Sequence, residues 1–121
     1  MSQSAMDADA FTEMKELLGD SFLEIISMCL QTLPEQLVQI ENAIKSQNAD
    51  DLFNVCHKMK SACGSIGAFG LAEKAEIIEL IGRDGSTNVS DQDYDDLQNA
   101  ARQVIAILTS EVNTASRSTG T

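Results

Sequence analysis

One histidine, His57, stands among 121 residues, and it is the natural starting point for any chemistry this chain performs. A single imidazole excludes every metal site built from several histidines. Alone, it can accept a group at a ring nitrogen, hand that group on, or move a proton. The other nucleophiles are three cysteines, Cys29, Cys56 and Cys63. Three thiols cannot all pair within one chain, and each lies on an apolar seam, where cysteine serves as a core filler.

His57 lies on a helix that the apolar spacing predicts from about 49 to 66. At 100° per residue, Leu52, Val55, Cys56, Met59, Cys63 and Ile66 fall between about 160° and 260° from His57. That arc is the buried seam, so His57 faces solvent. Its neighbours are small: Ser61 at about 40°, Gly64 at about -20° and Ala68 at about 20°. Lys60 follows at about -60°, Lys58 lies on the other flank at about 100°, and Phe53 at about -40° is the one large apolar neighbour. A clearing of small side chains around an imidazole admits the close approach of another protein. The two lysines favour an anion there. From Leu52 to Ala72 there is no acidic residue, so all 19 Asp and Glu lie elsewhere. A local basic patch on a chain of net charge -11 suits a phosphoryl group or an acidic partner surface. The same pattern also fits an ordinary solvated histidine beside a small-residue packing face, and spacing alone leaves both open.

The elements that must position this face are all helical. Phe11, Met14, Leu17 and Leu18 predict a short helix over 8–18, ended by Gly19. Ser21-x-x-Glu24 reads as a capping box for a second helix. Its seam of Phe22, Ile26, Cys29, Leu33, Leu37, Ile40 and Ile44 keeps one phase through Pro34. One long helix kinked at Pro34 is expected, with a restart capped by Thr32-x-x-Glu35 as the alternative. Asn48 is a plausible cap for the third helix and Gly67 its stop. A fourth helix spans about 69–82, with Leu71, Ala75, Ile78 and Ile81 inward. A fifth spans about 91–112, opened by Ser90-x-x-Asp93, with Tyr94, Leu97, Ala101, Val104, Leu108 and Val112 inward. Four long amphipathic helices with short connections imply an all-α, antiparallel up-down four-helix bundle, with the short first helix across one end. Residues 1–7 and 113–121 read as flexible ends of a single domain over 8–112.

Composition narrows the function classes. Eight Lys and Arg against nineteen acids disfavour a nucleic-acid binder and adhesion to an anionic membrane. No apolar run approaches the length of a membrane span, and Met1–Asp7 carries no signal-peptide pattern. A cytoplasmic setting with reduced thiols is the expectation.

His57-Lys58-Met59-Lys60-Ser61-Ala62-Cys63-Gly64-Ser65-Ile66-Gly67-Ala68 resembles the signature of histidine-containing phosphotransfer (HPt) domains. Leu71-Ala72 and Ile78-Glu79 also sit where that family places such residues, as do Thr32-Leu33-Pro34-Glu35 and Asp50-Asp51-Leu52 upstream. The resemblance covers roughly 10–112. It departs at Ser61, where the family commonly has glycine. The resemblance implies a phosphocarrier of bacterial multistep phosphorelays, with no kinase activity of its own. His57 would accept a phosphoryl group from one receiver domain and pass it to another. The partners would be receivers of a hybrid sensor kinase and of a response regulator, and the chain would act as a monomer. Lys60 would steady the phosphoryl oxygens, and Glu79 would hydrogen-bond the other ring nitrogen. Phe53, Lys58, Ser61, Gly64 and Ala68 would meet the partner, with Gly67 structural. The chain would need no metal or other cofactor, the receiver bringing the magnesium. A helical adaptor that binds an acidic partner surface without phosphorylation is the alternative.

Overall fold

The structure, a computed structural model, describes residues 4–119, with side chains placed through residue 115. Five α-helices follow in order: α1 (Ala8–Leu18), α2 (Phe22–Lys45), α3 (Ala49–Ser65), α4 (Phe69–Arg83) and α5 (Asp91–Thr119). A 3-10 turn, Gly19–Ser21, joins α1 to α2. The connections between helices are short, so α2 to α5 form an antiparallel bundle with α1 at one end.

Local chemistry sets most helix boundaries. Asp7 Oδ1 accepts from the Ala10 amide at 3.0 Å and starts α1. Asn48 Oδ1 accepts from the Asp51 amide at 3.0 Å and starts α3, whose first turn also carries Asp50 and Asp51. Ser90 Oγ accepts from the Asp93 amide at 3.1 Å and starts α5. The expected capping box at Ser21 does not form. Ser21 has helical angles (φ -80, ψ -12) and no side-chain cap bond. The 3-10 turn feeds the chain straight into α2, whereas a capping serine needs extended backbone. Pro34 lies inside α2, and the helix runs unbroken through it. The restart at Thr32 is therefore not used.

The seams pack as one core. Phe22, Ile26, Leu33 and Ile40 of α2 meet Leu52, Met59 and Cys63 of α3, Leu71, Ala75 and Ile78 of α4, and Leu97, Ala101, Val104 and Leu108 of α5. Cys29, Leu37, Ile44, Tyr94 and Val112 are partly buried at its margin. Gln36 and Ala43 are buried on α2 as well, off the expected seam. Leu17 departs from expectation and is 86% exposed. At its end of the bundle α1 is held by Phe11 and Phe22, whose rings lie edge to face at 5.4 Å, and by an ion pair from Lys15 to Glu111 at 3.0 Å. These contacts face one side of α1, and Leu17 lies off it.

The chain ends also differ from expectation. Residues 1–3 and 120–121 lie outside the described residues, but Ala5 and Met6 are buried. The Asp7 amide donates to the Gly67 carbonyl at 2.9 Å, and the Leu71 amide to the Ala5 carbonyl at 3.3 Å. This strap fits because Gly70 carries no Cβ, and α1 packs over Gly67 for the same reason. A Cβ at Gly67 would stand 3.0 Å from the Phe11 amide nitrogen, and one at Gly70 would collide with the backbone of Ser4. Helix α5 continues to Thr119, beyond the expected end near 112.

Two helical glycines behave oppositely. A Cβ at Gly82 of α4 would lie 2.8 Å from the Phe53 amide nitrogen and 3.0 Å from the Ala49 carbonyl oxygen. Gly82 is thus where α4 approaches the backbone of α3. A Cβ at Gly64 of α3 meets nothing within 4 Å. Alanine in a helix gains roughly 1 kcal/mol over glycine through backbone entropy. Overpacking against fixed backbone costs about 1–3 kcal/mol. Gly64→Ala is therefore expected to raise the denaturant midpoint. Gly82→Ala is expected to lower it, with a net stability loss of up to ~2 kcal/mol. Equal midpoints for the two variants would contradict the close approach.

Candidate functional site

His57 is near the middle of α3, with its side chain 54% exposed. Glu79 faces it from α4, one turn before Gly82, where the α4 backbone packs directly against that of α3. The Glu79 side chain is only 7% exposed, yet it reaches two partners. Its Oε2 lies 2.8 Å from His57 Nδ1, and its Oε1 forms an ion pair with Lys60 Nζ at 2.7 Å. His57 and Lys60 stand three residues apart on one helix face, so one carboxylate spans both.

The carboxylate's charge state follows from these contacts. Burial pushes the Glu79 carboxyl upward, but Lys60 and then His57 outweigh it, and the net shift is below the ordinary value. Glu79 is thus an acceptor only. In the neutral imidazole the Nδ1 hydrogen then points at Glu79, and the lone pair falls on Nε2. Lys60 is shifted upward, first by its bond to Glu79. Its partial desolvation opposes this, Glu76 adds to it, and Arg83 subtracts.

Phe53 lies one turn before His57, and the rings stack with centroids 5.7 Å apart and planes 16° from parallel. Ser61 and Gly64 are exposed on the same face. Lys58 is exposed on the other flank, over a polar groove shared with Gln39, Asn42 and Asn54. Ala68 is not part of the clearing. It is fully buried, and its amide donates to the Cys63 carbonyl at 2.9 Å. The angle that placed it beside His57 assumed a continuous helix, but α3 ends at Ser65 and Gly67 (φ 81) reverses the chain. Gly67 is the stop expected for α3.

Arg83 is a further charged residue of the site that the helix spacing around His57 does not reveal. It follows Glu79 by one turn on α4, is exposed, and acts electrostatically on Lys60. The (i, i+4) step from Glu79 is the signal that marks it. The thiols do not join this chemistry. Burial pushes Cys56 and Cys63 up to about 12, with smaller contributions from Glu79 and Cys29 respectively, and both stay protonated. Cys29 is also raised by burial, and all three are free. Among the described residues, no group of three His, Cys, Asp or Glu could hold a metal, and no helix is long and apolar enough to cross a membrane.

Comparison with known proteins bears on this geometry. Two solved structures share the fold. Histidine-containing phosphotransfer protein B from Pseudomonas aeruginosa PAO1 superposes with a TM-score of 0.84 at 18% identity, covering 93% of this chain and 98% of that one. The HPT domain of a sensor hybrid histidine kinase from Shewanella superposes with a TM-score of 0.76 at 16% identity, covering 92% and 96%. No curated protein sequence matches the chain. The Hpt domain family matches residues 24–107, which span α2 through most of α5 and include His57, Lys60 and Glu79, and the chain belongs to that family.

Proposed function

We propose that His57 carries a phosphoryl group on Nε2 between the receiver domains of a phosphorelay. The observation that carries this reading is the contact of Nδ1 with buried Glu79, which leaves the other nitrogen of an exposed ring as the nucleophile. The Nε2 lone pair attacks the phosphorus of a receiver's aspartyl phosphate. The P–N bond forms, the P–O bond breaks, and the carboxylate leaves with the electron pair. The ring becomes cationic and keeps its Nδ1 hydrogen, which the Glu79 carboxylate stabilises. The reverse sequence delivers the group to a second receiver.

This chain supplies the nucleophile and nearby cations, and the receiver brings the magnesium. Lys60 steadies the phosphoryl oxygens from its place on Glu79, and Arg83 adds a second positive charge beside it. The apolar groove between α2 and α3, lined by Ile25, Met28, Cys29, Leu33, Ala62 and Ile66, offers the receiver a docking surface. Met28 at its rim is 61% exposed. In this reading the chain is a monomeric, cytoplasmic carrier with no kinase activity. Its partners are the receivers of a hybrid sensor kinase and of a response regulator.

The Glu79 contacts give the site a defined pH window. A depressed carboxyl contributes stability above its unfolded pKa of about 4.3, and loses it as pH falls through the lower folded value. A raised lysine contributes below about 10.4, and loses it as pH rises through the higher folded value. Both contributions are complete between those limits.

Three outcomes follow. His57→Gln, whose amide can still donate to Glu79, takes up no acid-labile phosphate from a phosphorylated receiver and remains folded. If the wild type itself takes up none from any receiver of its source organism, the phosphotransfer reading fails and the adaptor reading replaces it. Lys60→Ala and Arg83→Ala each slow transfer by roughly three- to tenfold, and an unchanged rate in either removes the role assigned to that residue. Glu79→Gln is less stable than wild type near neutral pH, by an amount that shrinks as pH falls below about 4. Denaturant titrations across that range would show a pH-independent gap if the carboxylate were not paired.

A further inference from the structure

Glu79 restrains His57 at one atom only. A ring held by a single contact can still turn about the line joining Nδ1 to the carboxylate oxygen. The second torsion of histidine is intrinsically broad, so the side chain does not fix its own plane. In-line transfer needs that plane, because the Nε2 lone pair lies within it. A second restraint is required, and it must act on the face of the ring.

Phe53 provides that face. Side chains on a helix lean toward its N-terminus, which brings the imidazole of His57 over the residue four positions earlier. The two rings are within 16° of parallel. Phe53 is itself half-buried, and its backbone lies directly against α4 at Gly82. The stacking partner is thus anchored on the same contact that brings Glu79 opposite the histidine. One ring face is occupied by the imidazole, so Phe53 is poorly presented as a knob for a docking partner.

We propose that Phe53 is a positioning residue for phosphoryl transfer. It holds the plane of the His57 imidazole so that Glu79 fixes the Nδ1–H form and Nε2 points out of the bundle. The proposal rests on the reading of His57 as the phosphoryl acceptor. After transfer the ring is cationic, and the same stack becomes a cation–π contact that favours the phosphorylated state.

The single histidine makes the test direct, since its ring signals need no assignment. Two-bond proton–nitrogen correlation spectra report the tautomer. Phosphoramidate serves as donor without any receiver: Nε2 bonds to phosphorus, the donor's P–N bond breaks, and ammonia leaves. Wild type is expected to show the Nδ1–H form and a single Nε2 product by phosphorus NMR. Phe53→Leu keeps apolar bulk but loses the flat face. It is expected to mix the tautomers and to slow uptake by about two- to tenfold. Phe53→Tyr keeps the ring and should restore both readouts. Phe53→Met replaces Leu should that variant unfold. If Phe53→Leu or Phe53→Met keeps the wild-type tautomer and uptake rate, the proposal is overturned. Loss of transfer from a receiver with both readouts unchanged would instead make Phe53 a docking residue. The tautomer and uptake measurements stand even if no receiver ever phosphorylates the wild type, so the two readings fail separately.

Discussion

A carboxylate is costly to bury, and the site is organised around one that is. Removing an ion from water costs several kcal/mol even after relaxation, unless opposite charge and hydrogen bonds compensate. Glu79 is compensated from two positions on a single neighbouring helix. Lys60 neutralises one oxygen while His57 satisfies the other. This explains why the histidine is held although it is exposed. Its Nδ1 edge is held from below by a group that cannot move without stranding its charge. The cost also fixes the register of α3 against α4, because a shift by one turn would separate Glu79 from both partners.

That register depends in turn on how closely the two helices approach. Gly82 lets the backbone of α4 rest against Ala49 and Phe53 one turn from the site. Gly67 closes the turn between α3 and α4, and the strap of Ala5 to Asp7 binds over it through backbone hydrogen bonds. Helix α1 then covers the same end. The elements outside the bundle therefore brace the connection between α3 and α4, where a small displacement would be carried along both helices to the histidine.

Periodicity within one helix was legible from the chain, and it carried most of the fold. The seam of α3 places His57 outside by spacing alone, and Leu52, Met59 and Cys63 are indeed buried. What periodicity cannot see is where a helix ends in space and what another element brings. Ala68 was placed by an angle that has no meaning past the reversal at Gly67. Ser21 had the right sequence for a cap but the wrong backbone. Residues 5–7 looked soft because their binding partners are backbone groups, which leave no side-chain pattern. The resemblance pointed to Glu79 facing the histidine. Neither the resemblance nor the spacing shows that the carboxylate is buried, or that its other oxygen pairs with Lys60.

The local charge takes a different sense once the helices are paired. Along the chain, the stretch around His57 is basic because it lacks acids. In space, a buried acid from α4 sits beneath it and ties down the nearer lysine. The cations here thus serve two ends at once, neutralising Glu79 inside and presenting positive charge outside. Under the proposed phosphotransfer, an arriving phosphoryl group would compete with Glu79 for Lys60. Such competition suits a carrier better than a trap. A lysine free to bind phosphate alone would hold the group on His57, whereas one shared with a buried carboxylate stabilises it only in part. In that proposal the group could then leave for the next receiver at modest cost. Reversible transfer requires that neither state be held too tightly, and a shared cation is a simple way to keep the two states close in energy.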